Sequence, residues 1–80
     1  MSKLKGLSGK DLIKIFSRLG FETDSQKGSH IKLKRTVNGK KQVLVIPRHK
    51  QLDKGTLRAV YRQARYYIPE EYLREYFYTE

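Results

Sequence analysis

The 80-residue sequence contains no cysteine and no tryptophan, and it has only two prolines and two histidines. Without cysteine there is no disulfide framework, no thiolate nucleophile and no cysteine-ligated zinc, and two histidines are too few for a histidine-built metal cage. No apolar run approaches the roughly 20 residues of a membrane helix, and the Met-Ser-Lys start lacks a signal peptide's apolar stretch. We therefore expect a soluble, cytoplasmic protein with no cofactor, no metal site and no membrane partner.

Acidic residues are also scarce. Eight Asp and Glu stand against 18 Lys and Arg, which gives a formal net charge of +10. Residues 1–68 carry 17 basic and 4 acidic residues, whereas residues 69–80 carry one Arg and four Glu. Between Lys27 and Lys50 there are eight basic residues and no acidic one. Such a stretch favours salt-dependent binding to a phosphate backbone, with a solvated surface, an anionic membrane or an acidic protein as alternatives.

The hydrophobic pattern predicts one small domain that begins with a helix and continues with strands. Ser8 and Asp11 form a capping-box pair at the helix start, and Gly20 ends the helix. The apolar period then changes to two. This change predicts three antiparallel strands, over residues 21–26, 29–35 and 41–46. Asn38-Gly39 favours a type I′ hairpin turn between the last two strands.

Two more helices are predicted after the strands. The second helix begins near Lys54 or Thr56 and carries a basic stripe beside its apolar face. The stripe consists of Lys54, Arg58, Arg62 and Arg65. A third, short helix follows Pro69, with Tyr72, Leu73, Tyr76 and Phe77 on its apolar face. The prediction is an α+β, α-β-β-β-α fold, in which a three-stranded antiparallel sheet carries two helices on one face and a short C-terminal helix is added.

The end of the chain is rich in aromatic residues, with six of the nine lying between Tyr66 and Tyr78. Their helical spacing favours packing rather than stacking on nucleic acid bases, which the acidic balance of the tail also opposes. We therefore divide the chain into a main domain, residues 1–68, and an accessory helix, residues 69–80. The accessory helix is expected to pack on the domain or on a second copy of the chain, which would give a homodimer.

His30 is the strongest candidate for a catalytic residue. Because Ile31 and Leu33 are apolar, the pleat of the strand places His30 with Lys32 and Lys34 on the opposite, open face. RNA supplies its own nucleophile, the ribose 2′-hydroxyl, so one general base is enough to begin cleavage. Neighbouring cations disfavour a charged imidazole and stabilise negative charge in the transition state. The alternative is a surface histidine that only binds phosphate or bonds a neighbouring strand.

Other groups are weaker candidates. The leaving group needs an acid, which His49, a lysine or water could supply. The carboxylates offer no competing catalytic pair, because Asp11, Asp53 and the Glu70-Glu71 pair fit helix starts and turns. Gly28 and Gly55 do not have the spacing of a phosphate-binding loop.

Six motifs occur in order between residues 7 and 64. They are Leu7–Ile13, Leu19–Phe21, Lys27–His30, Val45–His49, Lys54–Arg58 and Arg62–Ala64. Together they resemble the HicA family of mRNA interferase toxins. The resemblance implies a double-stranded-RNA-binding-domain-like fold and a small, metal-free endoribonuclease that cuts mRNA and is held inactive by a HicB antitoxin in a type II toxin–antitoxin pair. It also implies that the histidine of the Gly-Ser-His motif, here His30, is catalytic.

The sequence departs from the family pattern at two places. Ile31 stands where many relatives have a second histidine or another polar residue. Arg65-Tyr66-Tyr67 stands where relatives often have glycine, which suggests a longer second helix and an altered mode of dimerisation or antitoxin docking.

We therefore predict an RNA-cleaving toxin with His30 as general base and His49 as a second catalytic candidate. The residues predicted to bind RNA are Lys27, Ser29, Lys32, Lys34, Arg35, Arg48, Lys50, Lys54, Arg58 and Arg62. A non-catalytic RNA-binding module that uses the same residues is the main alternative. A protein whose basic face binds only an acidic protein partner is the third. The expected partners are mRNA and a HicB-type antitoxin that covers the sheet with acidic surface.

Overall fold

The structure, a computed structural model, describes residues 2–79. Met1 and Glu80, which belong to the predicted ranges 1–68 and 69–80, lie outside the described residues. In chain order, the elements are β1 (Lys3–Leu4), α1 (Gly9–Arg18), β2 (Glu22–Lys27), β3 (His30–Val37), β4 (Lys40–Pro47), α2 (Lys54–Ala64), α3 (Glu70–Phe77) and β5 (Tyr78–Thr79). An antiparallel sheet of order β2-β3-β4 forms the centre, which confirms the predicted α-β-β-β-α arrangement.

Helix α1 begins with the predicted capping box. The Asp11 backbone N–H donates to Ser8 Oγ over 3.0 Å, and the Ser8 backbone N–H donates to Asp11 Oδ2 over 2.9 Å. Hydrogen bonding of the Asp11 carboxylate to the Ser8 backbone N–H, and secondarily to the Ser8 side chain, holds the pKa of Asp11 below its ordinary value of 3.8. Gly20 follows the helix with φ +94°, a conformation that favours glycine, and so turns the chain into β2.

Helix α2 ends earlier than its sequence suggests. Asp53 is its N-cap, and the carboxylate accepts from the Thr56 backbone N–H over 2.9 Å. The expectation of a longer helix through residues 65–67 is wrong, because α2 ends at Ala64 and the chain turns. The turn brings Ile68, which is 4% exposed, into the core. Burial of Ile68 therefore competes successfully with further helix propagation.

One core fills the space between the sheet and the helices. The sheet contributes Ile31, Leu33, Leu44 and Ile46. The helices contribute Leu12, Ile15, Phe16, Leu57, Val60, Tyr61, Ala64, Leu73 and Phe77. Of the residues assigned to the apolar face of α3, Leu73 and Phe77 are fully buried, but Tyr72 is 55% exposed, so that placement is wrong. The Phe77 ring centroid lies 5.2 Å from that of Tyr61, so α3 packs within its own domain.

The two ends of the described chain are paired. Strands β1 and β5 are antiparallel, with Lys3 opposite Thr79 and Leu4 opposite Tyr78. The Lys5 backbone N–H also donates to the Phe77 carbonyl over 2.7 Å. The sequence does not reveal these strands, because two residues are too few for a period-two pattern. Within residues 2–79, no helix is both long enough and apolar enough to cross a bilayer.

Candidate functional site

A tight turn places His30 at the first residue of β3. Gly28 has φ +60°, which suits the first central position of a two-residue type II′ turn, and the pair Lys27–His30 closes the hairpin. The Ser29 carbonyl accepts from the Arg48 backbone N–H over 2.6 Å, so β3 and β4 are also joined beside the turn. The Gly-Ser-His motif is therefore fixed from both neighbouring strands.

The imidazole of His30 stands on the face of the sheet that the helices leave open. Ile31 and Leu33 are 4% and 1% exposed, whereas His30 and Lys32 are exposed on the opposite side of the pleat. The predicted face is thus confirmed. Lys27 is paired with His30 across the hairpin and shares this face.

Charge is unevenly distributed along the open face. The register of β2 against β3 shifts at Asp24, whose Oδ1 lies 3.1 Å from Lys34 Nζ. The hydrogen bond with Lys34 lowers the pKa of the Asp24 carboxyl, and the same contact raises the pKa of Lys34. Among residues 2–79, Lys27 and Lys32 form no ion pair. Uncompensated positive charge therefore lies at the His30 end of the sheet.

Arg35, predicted to bind RNA, is instead occupied by contacts within the protein. It donates from Nε to Gln42 Oε1 over 2.6 Å, and from its terminal nitrogens to the Leu19 carbonyl over 2.6 Å and the Tyr67 carbonyl over 3.1 Å. Its guanidinium lies 4.7 Å from the centroid of Phe21. Burial lowers the pKa of the Arg35 side chain. RNA binding by Arg35 stays a prediction, and the contacts favour a structural role.

The second histidine, His49, lies in the loop between β4 and α2. His49 lines an open cleft at the N-terminus of α1, together with Ser8 and three basic residues. The basic residues are Lys10 and the two predicted RNA-binding residues Arg48 and Lys50. The His49 carbonyl accepts from the Gly9 backbone N–H over 2.9 Å, which holds the loop against the helix. His30 is not among the residues that line this cleft, although the pairing of His30 with Pro47 brings the start of the His49 loop next to β3.

Helix α2 exposes its basic stripe, and a different flank of the helix contacts the edge of the sheet. The predicted RNA-binding residues Lys54, Arg58 and Arg62 are all exposed. Gln63, which the sequence reasoning missed, fixes this helix to β4: its side-chain amide accepts from the Val45 N–H over 3.2 Å and donates to the Val45 carbonyl over 3.4 Å. Val45 is the cross-strand partner of Lys32 on β3. Gln63 therefore attaches α2 to the edge of the sheet at this residue pair. A single glutamine carries no periodic signal, and only its place in the Arg62–Ala64 motif marks it.

Within residues 2–79, no three His, Asp or Glu side chains are gathered as a metal site.

Comparison with known proteins identifies the family of this chain. A search of curated proteins finds no match to the chain. A family model described as the HicA toxin of bacterial toxin–antitoxin systems matches residues 9–66, which include α1, the whole central sheet and α2. Because that match covers well over half of the 80 residues, the chain belongs to the HicA toxin family.

Proposed function

We propose that this HicA family member is the toxin of a type II toxin–antitoxin pair and acts as an endoribonuclease that cleaves mRNA, with His30 as the general base. The observation that carries the proposal is an exposed imidazole at the cationic end of an open sheet, in a chain of this family. An mRNA substrate also implies a cytoplasmic protein. Inhibition of translation would follow from loss of the message.

The proposed reaction uses the ribose 2′-hydroxyl as nucleophile. His30 accepts the proton of this hydroxyl while its oxygen attacks the adjacent phosphorus. The new oxygen–phosphorus bond closes a cyclic phosphate as the bond to the 5′-oxygen breaks, and that oxygen takes a proton from an acid. General base catalysis contributes about 10² to 10⁴ in rate, so a single histidine gives a modest enzyme without further charge stabilisation. Because the nucleophile comes from RNA, the step requires no metal-bound water.

The cations around His30 supply that stabilisation. Lys27 is cross-strand neighbour to His30, and Lys32 is the next residue of β3 on the same face. Both can hold the phosphate and offset the negative charge that develops on its oxygens. Lys34 contributes less in this scheme, because Asp24 already compensates its charge. The polar group of Ser29 and the side chain of Arg48 would grip the backbone beside the turn.

The basic stripe on α2 extends this track. Arg62 precedes Gln63, whose amide is bonded to β4 opposite Lys32. An RNA strand longer than the sheet could add phosphate contacts with Arg58 and Lys54, which are exposed on α2. Lys50 would add a contact from the cleft at α1.

A HicB-type antitoxin is the proposed protein partner. An acidic surface that covers the open face would neutralise the cationic end of the sheet and exclude RNA from His30. A homodimer through the C-terminal helix is not needed, because Leu73 and Phe77 of α3 are fully buried in their own core.

The proposal is tested by incubating the purified protein with unstructured RNA in EDTA. We expect cleavage by the wild type and a loss of about 100-fold or more in His30→Ala. Circular dichroism should show the variant folded, since His30 is exposed. His49→Ala, assayed in parallel, tests whether the second histidine supplies the leaving-group proton.

Two other results would contradict the proposal in different ways. RNA binding without cleavage by the wild type would support the non-catalytic RNA-binding module. Absence of RNA binding even at low salt would instead support a basic surface that recognises only an acidic protein.

A further inference from the structure

Tyr66 is the most exposed large hydrophobic side chain in the described part of the protein, with 85% of its surface accessible. It follows the C-terminus of α2 within a turn in which its backbone N–H donates to the Gln63 carbonyl over 3.2 Å. Arg62, Arg65 and Tyr66 line a common surface cavity. A largely exposed aromatic ring thus lines the same surface cavity as two arginines.

The other aromatic residues of this region are explained by packing. Phe77 is fully buried, and three tyrosines are partly buried against the core: Tyr67, Tyr76 and Tyr78. Tyr72 is 55% exposed, but it lies on α3 next to Glu71, in the acidic part of the chain. Core packing therefore accounts for most of the aromatic cluster and leaves Tyr66 unexplained.

The charges around Tyr66 have a positive balance. Arg65 Nε lies 3.8 Å from Glu70 Oε1, and both side chains are about half exposed, at 54% and 47%. Glu70 also accepts from the Tyr61 hydroxyl over 3.0 Å, so it is held beside the cavity. Arg62 forms no ion pair within residues 2–79. One guanidinium is therefore available to an anion, and a second is only partly compensated at the surface.

We propose that Tyr66 and Arg62 form a base-stacking subsite for single-stranded RNA, with Arg65 as a secondary contact. This inference rests on the proposed RNA substrate. It adds a stacking contact with a nucleotide base to the phosphate contacts already proposed. A tyrosine face accepts any base by stacking, and a nearby guanidinium holds the adjacent phosphate or stacks itself. Arg62 lies in the last turn of α2, Tyr66 lies in the turn that follows, and both line the same cavity.

The position of the subsite fits the proposed RNA track. Gln63 lies between Arg62 and the turn, and its amide is bonded to Val45 at the edge of the sheet. Val45 is in turn paired with Lys32 on the open face. An RNA strand that crosses the edge of the sheet at Val45 therefore meets the last turn of α2, which contains Arg62 and is followed by Tyr66.

The test separates stacking from phosphate binding and from cleavage. All variants are made on His30→Ala, and each is titrated with a fluorescein-labelled oligoadenylate and with an abasic oligomer of the same length. We expect Tyr66→Ala to weaken oligoadenylate binding by about fivefold or more and to leave abasic binding unchanged. Tyr66→Phe keeps the ring and should retain affinity. Tyr72→Ala is the matched control, an exposed tyrosine in acidic surroundings, and should have no effect.

The salt dependence distinguishes the two side chains. Arg62→Gln should reduce the slope of log K against log salt by about 0.7, the value for one phosphate contact on a single strand. Tyr66→Ala should lower affinity without changing the slope. Because Tyr66 is exposed, thermal melts of its variants should coincide with that of the parent protein.

Several outcomes would overturn the inference. Unchanged oligoadenylate binding by Tyr66→Ala would do so, as would an equal loss on the abasic oligomer. Weaker binding of a purified antitoxin with unchanged RNA binding would make Tyr66 a protein-docking residue instead. The proposed enzyme is judged separately by wild-type cleavage: RNA binding without cleavage would reject the enzyme alone, and absence of RNA binding would reject both.

Discussion

Replacing Arg35 with alanine should destabilise the fold far more than it weakens RNA binding. The substitution removes three hydrogen bonds from a charged donor, two of which end on the backbone carbonyls of Leu19 and Tyr67. It also removes the contact of the guanidinium with the ring of Phe21. Hydrogen bonds to a charged group contribute about 1.5–3 kcal/mol each, but they are not additive. Since Arg35 is only partly buried and water can reach the vacated acceptors, we expect a loss of about 2–4 kcal/mol.

A loss of this size is easily measured. For a domain of this length, 1 kcal/mol lowers Tm by about 4–8 °C, so Arg35→Ala should melt about 10–30 °C below the wild type. Circular dichroism melts and urea titrations measure the stability, and RNA binding is then compared at a temperature where both proteins are folded. Arg35→Lys keeps the charge but has one nitrogen in place of three, so it should recover only part of the stability.

Lys32→Ala is the matched control, because Lys32 is exposed on the open face three residues away in the same strand. It should change stability by no more than about 0.5 kcal/mol. It should reduce the salt slope of RNA binding by about 0.7. A variant Arg35→Ala that melts like the wild type but binds RNA as weakly as Lys32→Ala would refute the structural role and restore the role predicted from the sequence.

Two further predictions concern α1 and α2. A methyl group on Gly9 would overlap the Pro47 carbonyl oxygen, so Gly9→Ala should lower the free energy of unfolding by about 1–3 kcal/mol. Gly55 has open space around it, so Gly55→Ala should stabilise α2 by about 0.5–1 kcal/mol. Thermal melts compare the two, and equal stabilities would contradict the close approach of α1 to the loop. The hydrogen bonds from Ser8 hold the pKa of Asp11 below its ordinary 3.8, so their stabilisation is complete above that pH and is lost as the pH falls through the lower folded value. Asp11→Asn should therefore be less stable at neutral pH and lose less stability on acidification in urea titrations, and an unchanged pH dependence would count against the capping box.

Local patterns predicted the elements that position His30. The alternation of Ile31 and Leu33 identified the buried face of β3, and the structure confirms it. Asn38 and Gly39 have φ +51° and +76°, as a type I′ turn requires at both central positions. These signals succeed because a pleat and a two-residue turn depend on neighbouring residues alone.

The alternation along β3 also indicates which face of the sheet carries Arg35, but the count of basic residues led to its assignment to RNA binding. Arg35 follows Ile31 and Leu33 at a spacing of two, which places it on the helix-covered face rather than with Lys32 on the open one. Its acceptors could not be predicted, because two of them are backbone carbonyls, and the one on Tyr67 lies 32 positions along the chain. Periodicity thus gives the side of the sheet, whereas the partners depend on tertiary contacts.

Charge within a sequence window is an equally incomplete guide. The stretch from Lys27 to Lys50 has no acidic residue, yet the fold brings Asp24 of the neighbouring strand to Lys34. Cross-strand neighbours contribute to the electrostatic field at a site, and here Asp24, which lies at the register shift of β2, compensates the charge of Lys34. The uncompensated positive charge on the open face is consequently confined to fewer lysines than the sequence suggests. Lys27 and Lys32, which lie near His30, carry this charge.

The C-terminal segment helps to explain why that face stays open. The family match ends at residue 66, but Leu73 and Phe77 beyond it are fully buried. The Phe77 ring lies 6.2 Å from Phe16 of α1 and 5.2 Å from Tyr61 of α2, so α3 packs on the side of the sheet that the helices already cover. Pairing of β1 with β5 then fastens both ends of the described chain to one another. Because α3 packs on the covered side, it enlarges the buried core without covering His30. The segment can therefore stabilise a small domain while the polar face of the sheet stays accessible to a nucleic acid or to an antitoxin.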